Sequence, residues 1–320
     1  MNERTSGDDN PAWPALPCGA WRATAATLHL WTQVVGKIRL AQAPWLNHSW
    51  HVPLYISARG MTTSPIPCAQ RTFEIAFDFI DHRVEIATSD GARRQLSLQP
   101  QSVADFHAAM LRALADVGIE VAINPVPSEI DGALPFDEDR EHASYDAEYA
   151  QRFWKILVQC DRVLKQFRSG FLGKCSPVHF FWGSFDLAIT RFSGRRAPLH
   201  PGGVPHLPDS VVREAYSHEV ASVGFWPGGG VIDYPAFYAY AYPEPAGYRT
   251  ARVAPADAFF CEALGEFILP YDTVRTAASP DRALLAFAQS TYDAAADLAQ
   301  WDRAALECAS GVPRVPRDVH

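Results

Sequence analysis

The chain has no run of basic residues beyond the pairs Arg93-Arg94 and Arg195-Arg196, and its formal net charge is −8 over 320 residues. Nucleic-acid binding needs a clustered basic face, so that partner class is excluded. No apolar stretch reaches the roughly 18 residues that a membrane helix requires. The opening MNERTSGDDN is polar and acidic, and no signal-peptide core follows it. A cytoplasmic protein without a membrane partner is expected. The six cysteines (18, 68, 160, 175, 261, 308) form no C-x-x-C pair, which argues against a zinc ribbon and for reduced, mostly buried thiols.

Motifs are also scarce. Ser184, in WGSFD, lacks the G-x-S-x-G elbow of an activated serine. FWPGGG, from Phe225 to Gly230, lacks both the P-loop Lys-Ser/Thr and the dinucleotide glycine spacing. No H-x-H, H-x-x-x-H or H-E-x-x-H pattern occurs. Cofactor, metal and oligomeric state are therefore unknown from the sequence.

What is present is an α+β pattern. Leu28, Trp31, Val35 and Ile38 recur on one helix face within Trp21–Leu40, which Pro44 follows. RTFEIAFDF alternates apolar and polar residues as a half-buried strand does. VEIAT and RQLSL continue the strands, and SVADFHAAMLRALADVG reads as a helix capped by Ser102. IEVAI allows a further strand. The Pro- and acid-rich residues 126–144 read as a linker. A long helix follows, then HFFWGSFDLAITRFSGRRAP, HEVASVGFW, AFYAYAY, AFFCEALGEFIL and a last helix starting at Pro280.

This predicts two related halves, 19–125 and 145–308, each helix, four antiparallel strands, helix. The sheets would lie side by side with helices on one face. Residues 1–18 and 309–320 are expected to be tails, the first disordered. The second half is longer because of three Gly- and Pro-rich loops, 194–215, 227–235 and 243–256. Long loops on a rigid scaffold often carry function, which directs attention to that half.

Alternation sorts the candidate residues. Read as one strand bent near Gly183, the stretch from His179 places Trp182, Ser184, Asp186, Thr190 and Phe192 on one side. His179, Phe181, Phe185, Leu187, Ile189 and Arg191 fall on the other. In AFYAYAY, Tyr238, Tyr240 and Tyr242 share a face, and Ala239 and Ala241 leave room for a helix opposite. If Asp186, Trp182 and the tyrosines coincide, they form aromatic walls with a few polar groups, as small-molecule sites do. The alternative is an exterior sheet face with paired aromatics.

Asp186, His218, Glu219 and Glu266 are the candidate acid/base or metal-ligating groups. Glu262 and Glu266 could share a strand face, whereas the neighbours His218 and Glu219 point apart unless the backbone bulges. Arg191 could grip an anion, or pair with the protein's own acids. Trp182, Trp226, Tyr238, Tyr240 and Tyr242 are the candidate ligand walls. His29 reads as a satisfied core histidine.

Longer stretches carry a resemblance. At TLHLWTQVVGKIRLAQAPWLNHSWHVPLYISARGMTTSPIP, FFWGSFDLAITRFSGRRAP, SHEVASVGFWPGG with FYAYAYPEP, and GEFILPYDTVR, the chain resembles an uncharacterised bacterial family, a domain of unknown function of the DUF5996 type. The resemblance runs from about Trp21 to about Leu306. It implies no activity, cofactor or catalytic residue. The residues themselves support a protein that binds a small anionic or aromatic molecule, with catalysis open. The alternative is an assembly module in which the aromatics only pack.

Overall fold

The computed structural model describes residues 10–317, so both ends of the expected tails lie outside the described residues. Within the expected N-terminal tail, Trp13 and Leu16 are buried, and Trp13 packs on Tyr271 with ring centroids 6.2 Å apart. Helix α1 (Cys18–Gln42) is buried continuously from Leu30 to Arg39. It ends at Ala43, whose backbone is extended, as the residue before a proline prefers.

The first sheet comprises β1 (Tyr55–Ile56), β2 (Gly60–Thr62), β3 (Ile66–Cys68), β4 (Arg71–Asp78), β5 (Arg83–Thr88) and β6 (Arg93–Ser97). Their order is β1-β2-β4-β5-β6, with β3 also on β4. Phe73, Ile75 and Phe77 face the core as the alternation requires. Helix α2 (Val103–Ala115) follows, and the Ser102 hydroxyl accepts from Asp105 N at 3.1 Å.

After α3 (Ala147–Arg168) comes the second sheet, beginning with β7 (His179–Phe181) and β8 (Asp186–Arg196). Helix α4 (Asp209–Ala215) precedes β9 (His218–Trp226), β10 (Ala236–Tyr242), β11 (Phe259–Cys261) and β12 (Glu266–Pro270). The chain closes with α5 (Tyr271–Arg275), α6 (Pro280–Leu298) and α7 (Arg303–Leu306). The sheet order is β11-β12-β10-β9-β8-β7, every pair antiparallel.

The fold is therefore α+β, with two antiparallel sheets side by side. They meet where Leu54 and Phe180 exchange both backbone hydrogen bonds, at 2.8 and 2.7 Å. Each sheet has six strands rather than the expected four. Short strands add to the first, and turns split two of the expected long strands in the second. IEVAI forms no strand. The strand orders of the two sheets differ, and the expected duplication is not established by them.

Helices α3 and α6 cover one face of the second sheet. Ala239 of β10 lies in the core there and Ala241 packs against it, and small side chains allow a helix to approach closely. Residues 126–144 contain no helix or strand, yet Phe136 and Asp139 are buried. No helix among the described residues is long and apolar enough to cross a membrane.

One contact fixes how α1 meets the second sheet. A Cβ on Gly36 would lie 2.2 Å from the Trp182 indole. That ring cannot retreat easily, because its Nε1 donates to Val52 O at 2.8 Å. Glycine normally costs a helix about 1 kcal/mol relative to alanine, but overpacking costs about 1–3 kcal/mol, so the steric term wins. Gly36→Ala is expected to destabilise the protein by a net of about 1 kcal/mol in urea unfolding. Gly19→Ala on the same helix, where nothing lies within 4 Å, should be neutral or stabilising.

Candidate functional site

The face of the second sheet opposite α3 and α6 lines a cavity of about 670 Å³, a volume suited to a small organic molecule. The register builds its floor. Thr190 of β8 stands beside Ser222 of β9, which stands beside Tyr240 of β10. Gly224 stands between Ala188 and Tyr238, and Ile268 of β12 lies beyond Tyr238. All of these residues line the cavity except Gly224, whose missing side chain leaves room for the Tyr238 ring (an added Cβ would meet its hydroxyl at 2.5 Å).

The roof is the first of the three long loops, with α4 inside it. Leu207, Val211, Val212 and Tyr216 face the cavity. The loop is tied down on several sides. Tyr216 and Tyr240 share a hydroxyl hydrogen bond at 2.9 Å. His48 Nδ1 donates to Ala215 O at 2.9 Å, and Trp45 Nε1 donates to Glu214 at 2.6 Å. Trp45, His48 and Trp50 complete the wall beside the end of α1.

The polar end is set by the turn Trp182–Phe185, which joins β7 to β8. Phe181 and Asp186 are its closing pair, so they share a face. Phe185 adopts a left-handed φ of 59° and turns its ring inward, against His29 at 4.8 Å and Phe153 at 5.2 Å. His29 Nε2 donates to Gly183 O at 2.8 Å, and burial lowers its pKa to about 4, so it stays neutral.

One helical stripe then holds the supposed linker. Gln33 takes both backbone groups of Ser128, at 2.8 and 2.9 Å, and Lys37 Nζ donates to Val126 O at 2.7 Å. Glu129, itself at φ 64°, is thereby laid on the turn. The Ser184 hydroxyl donates to its Oε2 at 2.6 Å. A Cβ on Gly183 would lie 2.0 Å from its Oε1.

Three carboxyl groups, Glu129, Asp186 and Glu266, therefore line one cavity. Asp186 is only 6% exposed. Tyr238 donates its hydroxyl to Oδ2, while Oδ1 has no hydrogen-bond partner. Burial raises the Asp186 pKa to about 7; the nearby charges of Glu129 and Glu266 add to the rise, and the Tyr238 bond opposes it. Burial likewise raises Glu266 to about 7 and pushes Glu129 upward. Lys37 lines the same cavity, but burial lowers it to about 8 and its ammonium is engaged by Val126 O.

Trp182, Trp226, Tyr238, Tyr240, Asp186 and Glu266 thus line the cavity as the sequence suggested. Four other candidates stand outside it. Arg191 projects to the helix-covered face, as the alternation within β8 dictates. Its guanidinium lies 3.5 Å above the Phe167 ring centre and 4.3 Å from that of Tyr292, and Nη2 donates to Phe167 O. It cannot grip an anion in the cavity. Glu219, next to His218 on β9, points to the opposite side and bonds Arg195 at 2.7 Å. His218 lies past the cavity wall, 5.9 Å from His48 by ring centroid and bonded to Ser217 at 3.0 Å. Tyr242 turns its hydroxyl to Pro198 O at 3.1 Å.

Glu262 and Glu266 are separated by the β11–β12 turn, and Glu262 pairs with Arg249 at 2.7 Å. Among the described residues, no group of three or more His, Cys, Asp or Glu side chains is placed to hold a metal ion. Sequence reasoning missed Glu129 and Lys37. No local pattern in the sequence signals either of them. It also set His179 and Phe181 on the face away from Asp186. The turn restores them to the same side, and both line the cavity.

Residues 13–308 match the model of a family of unknown function, DUF5996, and the chain belongs to that family. No curated protein and no solved structure matches it.

The carboxyl arrangement predicts an unusual pH dependence. Asp186 has a folded pKa above its unfolded one, so the native state binds more protons between about pH 4 and 7. Its contribution to stability is full below about pH 4 and is lost as pH rises through 7. Asp186→Asn keeps an acceptor for Tyr238 and removes the buried charge. It is expected to be more stable than the parent at pH 8 by about 4 kcal/mol, and no more stable at pH 4, in urea unfolding. A variant equally destabilised at both pH values would contradict this.

Proposed function

We propose that this DUF5996 member binds a small, largely apolar molecule in the cavity of its second sheet and acts in the cytoplasm. The observation that carries the reading is the combination of a largely apolar cavity with unpaired carboxyl groups at one end. Trp182, Trp226 and the tyrosines supply flat apolar surface, which suits an aromatic body. With Arg191 turned away, Lys37 is the one lysine or arginine in the lining, and its ammonium donates to Val126 O. All six cysteines are free thiols, which fits a reducing compartment.

Catalysis on the bound molecule is a second reading, favoured by one observation. Asp186 and Glu266 are both raised to about 7. Two carboxyls near neutrality can divide the roles of general acid and general base. The assembly-module reading draws less support, because Tyr238 and Tyr240 line a concave cavity rather than a flat exterior sheet face.

Calorimetric titration with naphthyl probes of neutral, cationic and anionic type tests the binding reading. Ala188 faces the chamber from β8 and is small, so Ala188→Trp fills the space. Binding of at least one probe is expected in the parent and is expected to be lost in Ala188→Trp, with unchanged circular dichroism. No binding by any probe, or binding that survives the filled cavity, would overturn the reading.

A further inference from the structure

We propose that the ligand of this cavity carries a cationic N–H head, an ammonium or amidinium group, seated among Asp186, Glu266 and Glu129. The proposal rests on the reading of the cavity as a binding site.

The three carboxyls come from separate parts of the chain: the 126–144 segment, the start of β8 and the start of β12. None of them is paired with a lysine or arginine among the described residues. Lys37, the one lysine or arginine in the lining, donates to Val126 O and forms no ion pair with these carboxyls among the described residues. The Glu266 side chain forms no hydrogen bond or ion pair with any described residue, and Glu129 uses Oε2 on Ser184 alone.

A cluster of acids by itself would say little, since surface carboxylates are common. Asp186 is different. It is 6% exposed and faces the chamber, with Oδ1 unpartnered and Oδ2 held by Tyr238. A buried carboxylate oxygen without a donor carries a substantial desolvation cost, and native proteins rarely leave such atoms unsatisfied. The Tyr238 bond holds the Asp186 carboxyl in the lining of the chamber.

The free acceptors define the complementary group. A hydroxyl can donate one hydrogen bond and brings no charge. An ammonium donates three and an amidinium up to four, and either neutralises the local negative field. An anion would be repelled by the ionised forms of all three carboxyls, whereas a cation favours those forms. The apolar walls around Ala188, Ile268 and Trp226 then receive the rest of the molecule, and aromatic faces favour a cation near their rings.

Charge-matched probes of one shape provide the test: 2-naphthylmethylamine, 2-naphthylmethanol and 2-naphthoate, titrated calorimetrically into the intact protein at one pH. The amine is expected to bind about tenfold or more tighter than the alcohol, with the acid weakest. Asp186→Asn and Glu266→Gln should each erode the amine's advantage by about tenfold while leaving the alcohol's affinity within about twofold. Glu266→Gln breaks no internal bond, so its folding is secure even if Asp186→Asn is perturbed. If the alcohol or the acid binds as well as the amine, or the amine's advantage survives both substitutions, the cation assignment is overturned and cavity binding stands. If no probe binds, both readings fall.

Discussion

The four-residue turn between β7 and β8 is the constraint on which the candidate site depends. Its Trp182 ring fills the space left by Gly36 and bonds Val52, its Gly183 carbonyl receives His29, and its Phe185 ring enters the aromatic core. Each tie comes from a different neighbour, so the turn cannot rotate without breaking several at once. Asp186 is the next residue, and the turn fixes where it points. The strained φ of Phe185 is the kind of local cost that surrounding packing must offset.

The same helix that receives the turn also builds the opposite wall. His29, Gln33 and Lys37 are four residues apart and lie on one stripe of α1. Two of them bond the backbone of residues 126–128, and so bring Glu129 to the cavity. A polar stripe on a helix that is buried along most of its length would otherwise be costly. Here it replaces the regular hydrogen bonding that the 126–144 segment lacks. The site is thus shared: the second sheet supplies the floor, and the first half of the chain supplies a wall.

Alternation made part of this legible. Within β8 and β10 the period of two placed Asp186, Thr190, Tyr238 and Tyr240 together and sent Leu187, Ile189 and Arg191 to the helices. It failed across the turn, because four residues outside any ladder reset the phase, and His179 and Phe181 rejoined the Asp186 face. It failed again at Glu262, where another turn separates that residue from Glu266. Glu129 had no local signal at all. It reaches the site through bonds to residues about ninety positions earlier, and no periodicity encodes such a contact. His218 was grouped by residue type, and its place on β9 sets it beyond the cavity wall.

The central claim is that carboxyl groups are held in the cavity without an internal counter-charge. Carbon-13 NMR titration of the Asp186 and Glu266 side-chain carboxyls, assigned with Asn and Gln variants, tests it most directly. The account predicts apparent midpoints near 7 for both groups, with coupled curves because each feels the other's charge. Midpoints near 4, the ordinary range for exposed carboxyls, would contradict it.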